Sequence, residues 1–233
     1  MKTIVFAAIL IFSLCAATRA QQTIFNVPSS DVLDKGKVYF ELDATFKTNN
    51  QEAARRFSSF VPRVVAGIGR NVEVGLNLTG NVNPGTDATT LVPAIKWRAY
   101  NSEKKGVAIV VGDNLYIPIR NRSYKVGNYF YAQVSKTLKS KTRLTGGGYY
   151  FTKNVVSTAA RVGGQFGFEQ PITLKFGLAA DWFTGKNSAG YFTPGINFKP
   201  HPKVTGYVGY SIGNANASKG NHFFYAAIGI NLN

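Results

Sequence analysis

Nine ionisable side chains stand at alternating positions inside otherwise apolar runs. The cations are Arg63, Lys96, Arg98, Arg161 and Lys175, and the acids are Glu41, Asp43, Glu73 and Asp181. In an extended chain, residues two apart share a face, so these charges fall opposite the apolar residues of their own runs. Mixed charges gathered on one inner wall have two uses. As rings they select ions and solutes in a water-filled passage. As ion pairs they brace or block the interior. Sequence leaves both open. Lys96 and Arg98 flank Trp97 on one face, and with Arg63 and Lys175 they predict a path that prefers anions. Tyr39, Tyr129, Tyr131, Tyr191, Tyr207 and Tyr225 share the same inner faces. They either stack on sugar rings or fill space.

Hydrolytic chemistry would need a histidine base beside a nucleophile or an acid. The chain has two histidines. His201 lies between Pro200 and Pro202 and reads as turn chemistry. His222, near Ser211 and Ser218, is the one candidate constellation for a lipid-modifying enzyme. A lone histidine at a strand end is more often structural, so no enzymatic activity is expected. No metal-ligand cluster, phosphate loop or nucleophile elbow occurs, so neither metal nor cofactor is expected.

The elements that would position these residues are strands. From Val38 to Phe46 the residues Val38, Phe40, Leu42, Ala44 and Phe46 oppose Tyr39, Glu41, Asp43 and Thr45. From Ile172 to Phe183 the set Ile172, Leu174, Phe176, Leu178, Ala180 and Trp182 opposes a set that includes Lys175 and Asp181. A helix would scatter both sets, whereas a strand separates them. About twelve such runs follow, near 37–48, 58–69, 72–80, 89–100, 106–117, 125–137, 141–152, 158–168, 172–183, 190–199, 203–213 and 221–232. Ten to fourteen fit the pattern. Most reach the roughly 9–11 residues that a tilted strand needs to cross a bilayer. Inward glycines, among them Gly67, Gly163, Gly167, Gly195, Gly209 and Gly229, would leave an open lumen, and Asp113 falls on the apolar face, an unresolved conflict. A soluble sandwich or ligand-binding barrel is the competing architecture, disfavoured by strand length.

The first twenty residues have the layout of a cleaved secretory leader: Met1-Lys2, an apolar run from Ile4 to Ala17, then Thr18-Arg19-Ala20. Cleavage would remove Cys15, the only cysteine, and with it any disulfide or thiolate chemistry. Residues 21–36 would form a periplasmic extension or a plug, and 37–233 the barrel. The net charge of +16 suits anionic partners. Export argues against nucleic acid. Arg55, Arg56, Arg120, Arg122, Lys153 and Lys186 lie in the longer connections, where lipopolysaccharide phosphates would meet them.

With its leader, alternating strands, short turns opposite long loops, and a final run with Phe224, Ala226, Ile228, Ile230 and Leu232 on one face, the chain resembles the bacterial outer-membrane β-barrel class over essentially its whole mature length. It departs at the very end, where Leu232-Asn233 replaces the usual terminal aromatic residue. The resemblance implies an all-β, closed antiparallel transmembrane barrel of about twelve strands, with short periplasmic turns and longer external loops. It also implies a bacterial outer-membrane location and contact with outer-membrane lipid. The expected function is a porin-like channel for small hydrophilic solutes, with a plugged structural or adhesive barrel as the alternative.

Overall fold

The computed structural model describes residues 22–48, 55–85, 87–121, 125–156, 160–215 and 220–232. Residues 1–20, read above as a leader, lie outside the described residues, as do Arg122 and Ser218.

Alternating residues give thirteen strand segments: β1 Val38–Lys47, β2 Phe57–Gly69, β3 Val72–Thr79, β4 Val82–Asn83, β5 Thr90–Ser102, β6 Val107–Pro118, β7 Gly127–Thr137, β8 Arg143–Phe151, β9 Val162–Pro171, β10 Phe176–Phe183, β11 Tyr191–His201, β12 Val204–Gly213 and β13 Phe223–Asn231. The two residues of β4 continue β3 along β2. The other twelve pair antiparallel with their neighbours in chain order, and β1 closes on β13, with Glu41 opposite Gly229. No edge is left with unpaired backbone groups, which is what a sheet in hydrocarbon requires.

One face of this closed sheet is apolar. Phe40, Val64, Ile95, Trp97, Phe130, Tyr150, Leu178 and Phe224 point outward and are exposed. Glu41, Glu73, Lys96, Gln133, Gln165, Asp181 and Thr193 point inward and are buried. An apolar exterior around a polar interior reverses a soluble barrel and fits a bilayer. The fold is therefore the closed twelve-strand antiparallel barrel that the alternation predicts.

Connections at one end are short, at 70–71, 103–106, 138–142, 172–175 and 202–203. At the other end they run through 48–56, 80–89, 119–126, 152–161, 184–190 and 214–222. One of the two two-residue turns has Arg70 and Asn71 at φ +53° and +59°. Two consecutive left-handed residues match the twist of the flanking strands, which is why two residues suffice there.

One detail differs from the sequence reading, and one conflict in it is resolved. The turn between β9 and β10 is 172–175, not Glu169-Gln170-Pro171, so Lys175 sits exposed in a turn and not on the inner wall. The Thr173 hydroxyl accepts the N–H groups of Lys175 and Phe176 and closes that turn. Apolar alternation runs straight through it, leaving Leu174 94% exposed. Asp113, the position in conflict, does face outward, opposite Ile95 and Phe130 with no bulge to redirect it. Both its oxygens accept from the Asn128 amide, at 3.2 and 3.0 Å, which offsets part of its desolvation.

Residues 22–37 enter the barrel. Thr23 bridges Pro28, and the Ile24 N–H donates to the Val27 carbonyl, making a tight hairpin inside the lumen. The chain then runs along the wall to Gly36, which donates to the Gly67 carbonyl, before β1 begins.

Candidate functional site

The hairpin tip is held by a single carboxylate. One oxygen of Asp181 accepts the backbone N–H groups of Phe25 (2.9 Å), Asn26 and Val27 (2.7 Å). Strand β10 places Asp181 inward through the same alternation that sends Trp182 out. The Asn26 amide donates to Thr193 at 3.0 Å, and Thr193 shares a hydrogen bond with Ser211. Apolar packing completes the seat. The Phe25 ring meets Tyr225 and Tyr207 edge-on at 5.5 and 6.2 Å. Val27 packs into Tyr129, Tyr131, Tyr149, Phe151, Val156 and Phe183, a cluster supplied toward the long loops by β7, β8, β10 and the connection after β8.

Further down, Pro28, Asp31 and Leu33 of the plug each meet a polar wall group. The Gln133 amide donates to the Pro28 carbonyl and receives from Gln165, which accepts in turn from the Tyr129 hydroxyl. Glu73 accepts the Leu33 N–H at 2.8 Å while its other oxygen pairs with Lys96 at 2.8 Å. Nearest the short turns, Arg143 bridges plug and wall. Its guanidinium contacts both Asp31 oxygens at 2.8 Å and grips Glu169 at 2.5 and 2.8 Å. Arg63 ties wall strands together, reaching Glu41 at 2.5 Å, Asp43 at 3.2 Å and Asn77 at 3.0 Å, and touching Thr23 of the plug at 3.3 Å. A void of about 50 Å³ is left between the plug and strands β2, β3, β5 and β6.

The predicted wall charges therefore separate. Arg63, Lys96, Glu41, Asp43, Glu73 and Asp181 face the lumen, and all are engaged in pairs or plug contacts. Arg98 lies at the short-turn mouth, donating to Asn71 at 3.1 Å. Arg161 is exposed ahead of β9 at the long-loop end, where its backbone carbonyl accepts from Phe151. It does not line the inner wall, because the strand begins one residue later. Asp31, Arg143, Glu169, Gln133 and Gln165 escaped the sequence reading. Parity was the available signal: Arg143 shares a face with Thr145 and Tyr149, and Glu169 shares one with Gln165 and Gly167.

The inward glycines have a different use from the open lumen expected of them. A side chain at Gly67 would strike the Leu33 and Asp34 backbone, and at Gly195 or Gly209 it would strike the Phe25 ring. Gly112, Gly163 and Gly229 leave room for the rings of Tyr131, Tyr149 and Tyr39. Gly167 is the most selective case. Its added Cβ would collide with the Ile24 side chain, while the nearest wall atom, Thr145 Cβ, stays at 3.4 Å. Gly167→Val is expected to push Ile24 out of its seat and leave the barrel ladder intact. Faster proteolysis after Lys35 with an unchanged heat-modifiable gel shift would show this; equal proteolysis would refute it.

At the long-loop end Arg55, Arg56, Arg120, Lys153 and Lys186 are exposed. Arg120 lies 3.7 Å from Asp87, an exposed pair worth little to stability. His222 accepts the Gly213 N–H on Nδ1, whereas Ser211 turns inward to Thr193. His201 accepts the Lys203 N–H within its turn.

No family model matches the sequence, and no curated protein matches it. Among solved structures the chain is similar to the translocator domain of autotransporter NalP from Neisseria meningitidis. That match has 13% identity and a TM-score of 0.47, over 98% of this chain and 97% of that one. It is also similar to outer membrane phospholipase A from Escherichia coli, at 13% identity and a TM-score of 0.45, over 84% of this chain and 90% of that one.

Proposed function

We propose that the protein is a bacterial outer-membrane barrel, exported by its leader, whose polar interior is a conduit for small hydrophilic solutes that its own residues 22–37 close at rest. One observation carries this reading: the barrel is complete without the segment that fills it. All twelve strands pair and close between Val38 and Asn231. Among the described residues, the segment bonds backbone to backbone with the wall at Gly36 and Lys37, through Gly67. Its other wall contacts are side-chain hydrogen bonds and ion pairs that water can replace, with apolar packing of Ile24, Phe25 and Val27 at the tip and of Leu33 against Tyr39 and Val65 near the root. Its departure would leave a wall lined by Arg63, Glu41, Asp43, Lys96, Glu73 and Asp181, suited to water and ions. In this orientation the short turns and the plug's root are periplasmic. The long-loop cations Arg55, Arg56, Arg120, Lys153 and Lys186 then face lipopolysaccharide phosphates.

Planar-bilayer recording tests this directly. The mature chain is expected to be nearly silent, and the variant lacking residues 22–33 to pass current in steps. If that variant keeps a heat-modifiable gel shift yet conducts nothing, the barrel is a closed anchor and the conduit reading fails.

A further inference from the structure

At the short-turn mouth the barrel opens a cavity of about 880 Å³, within the size range of small-molecule sites. Its walls come from the β5–β6 hairpin, the β7–β8 hairpin and plug residues Ser30 and Asp31. The charge is lopsided: Arg98, Lys104, Lys105, Lys136, Lys139 and Arg143 line it, against Asp31 and Glu103. Arg143 is already paired with Asp31 and Glu169. Lys104, Lys105 and Lys139 are exposed and form no ion pair among the described residues. The Nε of Arg98 is shut off from solvent without a hydrogen-bond partner, although the other end of the guanidinium reaches Asn71. Lysine ammoniums on turns supply several point charges, and phosphate oxygens are what such an arrangement binds best.

We propose that this cavity binds a soluble anion carrying two or more phosphate groups, held by Arg98, Lys104, Lys105 and Lys139 beside the Asp31–Arg143 pair that anchors the plug. The site faces the lumen mouth through Ser30, Asp31 and Arg98, which favours a dissolved ligand over a lipid headgroup. Its neighbourhood adds a consequence, which rests on the plugged-conduit reading. A bound polyanion competes with the Asp31 carboxylate for Arg143, so ligand and seated plug weaken each other.

Tripolyphosphate titrated by calorimetry into the refolded mature chain in uncharged micelles tests the site. Saturable binding is expected, weakened about tenfold or more by the triple change Lys104→Gln, Lys105→Gln, Lys139→Gln, because several charge-assisted contacts vanish together. Lys125→Gln with Lys203→Gln, both exposed and outside the cavity, is expected to change nothing. An equal loss from that pair would reduce the effect to attraction by net charge and overturn the site. Abolition of binding by phosphatidylglycerol in the micelles would assign the cavity to lipid and overturn the soluble ligand. The variant lacking 22–33 is expected to bind more tightly; unchanged affinity there would refute the coupling. Binding is read without current, so a silent barrel leaves this result standing, and absent binding leaves the conduit reading standing.

Discussion

Asp181→Leu is expected to free the plug tip while leaving the barrel folded. Three backbone N–H groups converge on one carboxylate oxygen, and all three lose their acceptor at once. A hydrogen bond to a charged group contributes about 1.5–3 kcal/mol, and contributions sharing one acceptor do not add fully, so a net loss of about 4 kcal/mol is a fair scale. At about 1.4 kcal/mol per factor of ten, the exposed population of the tip rises several hundred-fold. The chain's only cysteine, Cys15, falls in the proposed leader, so in the chain lacking residues 1–20 a thiol can report this without interference. In a Val27→Cys background, where position 27 is fully buried, maleimide labelling is expected to accelerate by about that factor when Asp181→Leu is added. Bilayer current should appear in parallel. Labelling at the parent rate would mean that the aromatic seat around Phe25 and Val27 holds the tip unaided, and Asp181 would lose its assigned role.

The barrel was legible because its rule is local. Away from the register shifts at Gly67/Gly69, Arg98/Tyr100 and Phe198/His201, a side chain's direction depends on parity, and parity survives an error in strand ends. Trp182 points out and Asp181 points in whether the strand starts at residue 172 or at 176. Turn position is a different matter. Ile172 and Leu174 continue the apolar alternation through the β9–β10 turn, so only the Thr173 hydroxyl bonds and the ladder register show where the strand stops. Lys175 was misplaced for that reason, and Arg161 for a related one at the opposite end. The plug was the hardest part to read. Its seat is made of contacts between residues far apart in sequence, such as Asp31 with Arg143 and Leu33 with Glu73. No spacing rule reports these. The glycines carried the signal in an ambiguous form: space at Gly167, Gly195 and Gly209 reads equally as an empty channel or as a socket for Ile24 and Phe25.

Arg63→Leu should have the opposite signature, a large loss of barrel stability. Arg63 lies on β2 between Glu41 on β1 and Asn77 on β3, so its guanidinium fastens three consecutive strands next to the closing seam. Removing it leaves Glu41 and Asp43 buried, two residues apart on one face, with their shared cation gone. Breaking a buried pair from one side costs about 3–5 kcal/mol, because the remaining charges stay desolvated. The midpoint of denaturant unfolding in micelles is expected to fall accordingly. Adding Glu41→Gln and Asp43→Asn should restore much of the loss, since the orphaned charges are then absent. Failure of that rescue would assign the effect to lost packing of the arginine stem. Among the described residues Arg63 hydrogen-bonds the plug at Thr23, at 3.3 Å, whereas Asp181 holds the hairpin tip at Phe25, Asn26 and Val27, on β10 and away from the seam. The two substitutions should therefore dissociate: Asp181→Leu raises labelling at position 27 with little change in unfolding midpoint, and the rescued Arg63 variant recovers its midpoint with labelling near the parent rate. If both moved together, plug and barrel would be one cooperative unit, and the interior would have to be treated as a core and not as an occupied passage.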